Sequence, residues 1–143
     1  MAIKQLSIFV ENKKGSLVEI YETLSHAQID IRAMSIADTQ DFGILRLIVS
    51  DAEKAAEALK QAHCIVSVTD VIGVAINDQA GSLAKVVRLL TDNDVNIEYM
   101  YAFITVSKQY AYVVFRVADN DAATALLQSN GVKIVTEDDI RNL

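Results

Sequence analysis

Proline is absent from the 143 residues, cysteine occurs once and glycine five times. Such a chain has no place among the collagenous, Pro/Gly-rich disordered or disulfide-rich classes. The lone Cys64 cannot form an intrachain disulfide. Its position before Ile65-Val66 reads as that of a buried thiol in a reducing cytoplasm. Cationic side chains are scarce too, with 13 Lys+Arg against 19 Asp+Glu and a formal charge of −6. Phosphate-backbone binding needs clustered Lys and Arg, so nucleic acid is not expected as a partner. No apolar run approaches the roughly 20 residues that span a bilayer. Residues Met1 to Gln5 lead straight into a strand-like stretch, without the apolar region and cleavage site of a secretory signal. The expectation is a soluble, cytoplasmic protein that needs no membrane.

What the chain does have is apolar residues, 52% of the total, enough to build a core, and these residues repeat. Asn12-Lys13-Lys14-Gly15-Ser16-Leu17 returns as Asp78-Gln79-Ala80-Gly81-Ser82-Leu83. Superposing Gly15 on Gly81 also superposes Ile20 on Val86, Leu24 on Leu90, Ile31 on Ile97 and Met34 on Met100. A short insertion, placed in a hairpin turn where length change is tolerated, then brings Leu45 to Asp51 onto Val113 to Asp119. Self-similarity held in one register over this length marks a duplicated unit.

Each copy reads as the same succession of elements. The β-rich runs Leu6 to Val10 and Val71 to Ile76 are each followed by a Gly-Ser entry to a segment with apolar residues at helical spacing. Leu17, Ile20 and Leu24 form one stripe, and Leu83, Val86 and Leu90 its twin. Ser16 and Ser82 are expected to cap these helices, because a serine oxygen accepts from an orphan N–H of the first turn. The helices should end near Ala27-Gln28 and Asp92-Asn93. Strand patterning resumes over Ile29 to Ala37 and Val95 to Val106, with turns at Gln40-Asp41 and Ser107-Lys108. Strands from Gly43 to Ser50 and from Tyr110 to Ala118 each lead to an Asp, Asp51 or Asp119, that starts an Ala/Leu-rich helix. Ile65 to Val68 and Val132 to Val135 complete the copies. The expected fold class is α+β: two ferredoxin-like βαββαβ units, residues 1–70 and 71–143, each an antiparallel sheet with its helices on one face.

The loops resemble those of the ACT-domain family, in which a strand and a polar residue precede a Gly and a Leu that open the first helix, and an (I/V)-N-I segment starts strand two. Here the pattern reads Asn12…Gly15-Ser16-Leu17 with Ile29-Asp30-Ile31, and Asp78…Gly81-Ser82-Leu83 with Val95-Asn96-Ile97. Many members carry Pro before the glycine, where this chain has Lys14 and Ala80, which makes the loop less rigid. The resemblance spans the chain, is nearest to stand-alone double-ACT proteins, and implies a regulatory module that binds a free amino acid. It also implies a partner enzyme of amino-acid metabolism and a homo-oligomer, a dimer.

The residue chemistry is compatible with such a ligand. Backbone N–H groups at a helix start favour a carboxylate, and glycine lets it come close. Asn side chains donate and accept, whereas ionised Asp only accepts. In the family the ligand sits between neighbouring units, on the glycine loop of one and the strand-two start of the other. The resemblance therefore implies ligand contacts from Asn12, Lys14, Gly15, Ser16 and Leu17, from Asp30 and Ile31, from Asp78, Ala80, Gly81, Ser82 and Leu83, and from Asn96 and Ile97. One site would join Asn12 to Asn96 and the other Asp78 to Asp30. The first is expected to be the stronger, since paired Asp side chains repel a carboxylate. A second reading needs no ligand: the glycines make strand-to-helix turns, the Asn and Asp residues satisfy loop backbone, and the chain is a structural subunit of an enzyme.

An enzyme is not expected, and neither is a cofactor. His26 and His63 have no partner at metal-ligand or triad spacing, and no phosphate-binding loop is present. Tyr99 and Tyr101 share a strand face, where packing competes with lining a pocket. Glu137-Asp138-Asp139 reads as a charged tail or a short capped turn.

Overall fold

A computed structural model describes residues 2–38, 40–105 and 107–143. In chain order the elements are β1 (Ile3–Glu11), α1 (Ser16–His26), β2 (Ile31–Asp38), β3 (Phe42–Val49), α2 (Ala52–Gln61) and β4 (Val66–Asn77). There follow α3 (Ser82–Asp92), β5 (Tyr99–Ala102), β6 (Tyr110–Arg116), α4 (Asn120–Ser129), β7 (Lys133–Val135) and α5 (Glu137–Asn142). They form two compact units, Lys4–Thr69 and Asp70–Arg141, the second also including Ile3.

In the first unit β3 pairs antiparallel with both β1 and β2, and the Phe9 N–H donates to the Ile65 carbonyl at 3.0 Å, laying the end of the unit along the side of β1 away from β3. Strand alternation sends Leu6, Ile8 and Val10 to the side where Ile20, Leu24 and Leu59 arrive from α1 and α2. The opposite side of these strands carries Phe9, Phe42 and Ile44, all exposed, with the Phe9 and Phe42 rings stacked at 4.8 Å. The second unit repeats the plan. Its strand order β5-β6-β4-β7 is antiparallel throughout, and Ile72, Val74, Ile76 and Phe115 meet Val86, Leu90 and Leu127 in its core. The expected α+β class, with two tandem βαββαβ units, is the observed one.

Several local readings need correction. Ile65 to Val68 and Val71 to Ile76 are not separate strands: β4 runs unbroken from Val66 to Asn77, so polar Ser67, Thr69 and Asp70 lie within regular strand. Ser16 and Ser82 do not cap their helices. Gly15 and Gly81 do, at left-handed φ of +94° and +86°, and no side chain caps either start. Leu17 and Leu83 remain more than a third exposed, unlike Ile20, Leu24, Val86 and Leu90 of the same stripes, which are buried. β5 is only four residues long. Val95 and Ile97 pack on the core from the segment before it, so apolar alternation there reflects packing without strand pairing. The far limit expected for this strand, Val106, lies outside the described residues. Cys64 is half-buried, packed on the first core rather than enclosed by it. Burial, followed by the Glu19 carboxylate, pushes its thiol pKa up.

The second helix of each unit starts differently from the first. Asp51 accepts from the Lys54 N–H at 3.1 Å, and Asp119 from the Ala122 N–H at 3.0 Å. Helix α5 is closed by a reciprocal capping box between Thr136 and Asp139, so the C-terminal acidic residues form a capped turn. At the other helix ends, Gln28, His63 and Asp94 take left-handed φ of 58°, 67° and 60°, while glycine fills that place at Gly131. His63 thus holds a conformation that costs a side-chain-bearing residue free energy. We expect His63→Gly to be folded and more stable by about 0.5–1 kcal/mol in urea denaturation, the relieved strain less the entropy that glycine loses on folding. A loss of stability would show that the imidazole makes a contact worth more than the strain.

Candidate ligand-binding site

The two glycine loops are copies in three dimensions as well as in sequence. In the first, the Asn12 N–H donates to the Asp41 carbonyl, the Lys13 N–H to Glu11 and the Ser16 N–H to Lys13. In the second, Asp78 donates to Gln109, Gln79 to Asn77 and Ser82 to Gln79. Each loop is thus anchored to the facing β-hairpin and turned by a left-handed glycine into a helix whose first i→i−4 bond starts one turn in, at Glu19 N–H to Gly15 and Lys85 N–H to Gly81. The N–H groups of Leu17, Val18, Leu83 and Ala84 precede those bonds. They belong to helix starts without a side-chain cap, where the peptide dipoles favour an anion.

The surroundings of each named residue are specific. The Asn12 side-chain amide donates to the Gln40 carbonyl at 3.3 Å, which leaves its oxygen as an acceptor. Lys13 is paired with Glu11 at 3.2 Å on the surface. A small cavity of about 80 Å³ brings Asn12, Ser16 and Leu17 together with Ile36, Asp38 and Gly43. Those last three residues come from the far end of β2 and the start of β3, and the sequence does not single them out because they meet the loop only through strand pairing. Asp30 and Ile31 line a separate open cavity of about 500 Å³ with Tyr21, Ser25 and Gln28. The Asp30 carboxylate is paired with the Arg32 guanidinium at 3.7 Å, its backbone N–H donates to the Ser50 hydroxyl, and Ile31 packs on the first core. Burial raises the pKa of the neighbouring Tyr21 phenol, which donates to the Met34 sulfur at 3.7 Å.

Within one unit the glycine loop and the strand-two start do not meet. Helix α1 has 11 residues, about 16 Å at 1.5 Å per residue, and Asn12 lies before it while Asp30 follows it. The same separation holds for Asp78 and Asn96 about α3. Lys14, Ala80 and Gly81 are exposed loop residues, as are Asp78 and Asn96, and Ile97 packs against the second core.

Ser82 also lines a larger cavity, about 610 Å³, between α3, the ends of β4 and β6 and the α4–β7 turn. Lys85, Tyr110 and Lys133 take part in it. Sequence reading passes over it because these residues come from three elements. Tyr101 is buried and Tyr99 half-buried. Among the described residues no group of three His, Cys, Asp or Glu side chains is placed to hold a metal ion, and no helix is long and apolar enough to cross a membrane.

Comparison with known proteins agrees with this architecture. Protein BT0572 from Bacteroides thetaiotaomicron is 43% identical, with a TM-score of 0.93 over 100% of this chain and 98% of its own. The regulatory subunit of aspartate kinase from Thermus thermophilus, in its ligand-free form, shares 16% identity at a TM-score of 0.63, covering 88% of this chain and 90% of that one. Aspartate kinase from Synechocystis gives 23% identity and a TM-score of 0.58 over 89% of this chain, which spans 25% of that enzyme. The last two likenesses concern the fold alone. No curated protein matches. A family model described as an ACT domain pair matches residues 1–143 from end to end, and the chain belongs to that family.

Proposed function

We propose that this protein is an amino-acid sensor without catalytic activity of its own, in which a free amino acid held at the glycine loops biases one packing of the protein or of a partner enzyme in amino-acid metabolism. The observation that carries the reading is the contrast between helix starts. The two helices that open the repeat units begin on left-handed glycines with no side-chain cap, whereas the second helix of each unit is closed by an aspartate. Helix starts left open in both copies suit a ligand carboxylate. The Asn12 amide donates to Gln40, so in this reading its oxygen accepts from the ammonium, and exposed Leu17, Val18 and Leu83 offer apolar surface to a ligand side chain.

In this reading residues of the Asp30-Ile31 or Asn96-Ile97 type from a neighbouring ACT unit complete each glycine loop, which is supported by the separation of loop and strand-two start along α1 and α3 within one unit. The partner assignment draws on the aspartate kinase regulatory subunits that share the fold, and the sensor is proposed to act as a cytoplasmic homodimer. A ligand shifts such an equilibrium only by its difference in affinity between the two states.

A thermal-shift screen of the full chain against the twenty amino acids at millimolar concentration tests the proposal. A rise in melting temperature with one or a few of them is expected. No rise with any would favour the structural-subunit reading instead. With the responding ligand in hand, Asn96→Ala is expected to remove more of the increment than Asp30→Ala, since the Asp30 carboxylate already has Arg32 as its partner. The reverse order would show that the aspartate-bearing site is the stronger one.

A further inference from the structure

We propose that the cavity in the second unit, which borders the glycine loop through Gln79 and Ser82, is a further site for a small organic anion that has a short apolar body and no ammonium group. It measures about 610 Å³, within the range of small-molecule sites. No Asp or Glu lines it, in a chain where acidic residues outnumber basic ones by 19 to 13. Two lysines do, Lys85 from α3 and Lys133 from β7, and neither forms an ion pair among the described residues. The Lys133 ammonium lies 5.1 Å from the centre of the Tyr110 ring, a cation–π contact that holds the charge in place without neutralising it. The rest of the lining mixes apolar Ala75, Ile76, Val86 and Leu89 with the polar side chains of Asn77, Gln79, Ser82 and Asn130. Net attraction for negative charge, with side-chain amides to hydrogen-bond it, a smaller apolar share of the wall and no carboxylate to pair with an ammonium, favours a carboxylate or phosphate ester over a zwitterion.

The first unit shows that the fold does not require this chemistry. Aligned by the repeat, Glu11 stands where the second unit has Asn77, Glu19 where it has Lys85 and Ile65 where it has Lys133. The alignment is structural: Lys133 is the strand partner of Ala75, as Ile65 bonds to Phe9, the counterpart of Ala75. One copy thus carries two carboxylates where the other carries an amide and an ammonium, on the same backbone.

The test is a titration of the ¹⁵N-labelled full chain with sodium glutarate at constant ionic strength, with neutral glutaramide and inorganic phosphate in parallel. Saturable shifts of the Gly131, Val132 and Lys133 amides, which lie outside the glycine loop, are expected with glutarate and not with glutaramide. The Lys85→Gln/Lys133→Gln protein should bind at least about tenfold more weakly and keep its response to an amino acid at the glycine loops. Absence of saturable shifts, or unchanged affinity in the double variant, would overturn the site, whatever becomes of the amino-acid reading. Phosphate binding as tightly as glutarate would overturn the part assigned to the apolar share of the wall.

Discussion

Truncating Phe115 to alanine should destabilise the protein by about 3–5 kcal/mol, the range for a large aromatic removed from a closed core. Phe115 has no exposed surface. It stands in β6, opposite Ile72 of β4 and Met100 of β5, and packs in the second core with Val86, Leu90 and Leu127. Few neighbours can move to fill the space, since both strand partners are fixed by ladder hydrogen bonds and both helices contribute buried residues to the same cluster. Urea denaturation is the measurement, read as a fall in midpoint with little change in slope. A cost under about 1.5 kcal/mol would mean that this core collapses around the missing ring, contrary to the packing described.

The second large effect is that of ligand on stability. At a hundredfold over its dissociation constant, a ligand bound only to the folded state adds about 2.7 kcal/mol, a shift of several degrees in melting temperature. Gly81→Val should reduce that increment sharply, and Gly15→Val should act likewise on the other loop. An added Cβ would meet nothing within 4 Å at either glycine, so valine acts through backbone strain at positive φ, of order 1–3 kcal/mol, and through blocked approach to the helix start. Measuring each variant with and without ligand separates these two effects, because the strain appears in both melts and the lost binding only in the difference. An undiminished increment in both variants would remove the loops from the site.

Features encoded within a few residues were the ones legible in the sequence. Asp51 and Asp119 were readable as helix starts because a side-chain oxygen reaches an N–H three residues on, and Leu24 and Leu90 as core because helical spacing repeats in both copies. Ser16 and Ser82 misled because a serine after glycine satisfies the same short-range rule. The glycine, free to take positive φ, moves the cap back by one residue. The polar Ser67, Thr69 and Asp70 suggested a break where strand geometry continues through them. For the candidate site, the loop residues and Asp30 could be named from local pattern, but Ile36, Asp38 and Gly43 beside Asn12 could not. Lys85, Tyr110 and Lys133 are brought together by strand order and helix packing, and no window of sequence contains all three.

The open starts of α1 and α3 also bear on dynamics. A side-chain cap contributes about 0.5–2 kcal/mol to a helix, and these two helices forgo it while α2 and α4 have it. Amide protons of their first turns should therefore exchange with solvent through local fraying more readily than those of the aspartate-capped helices. A bound carboxylate would then do the capping, and slowed exchange at Leu17, Val18, Leu83 and Ala84 would be the earliest record that the signal had arrived.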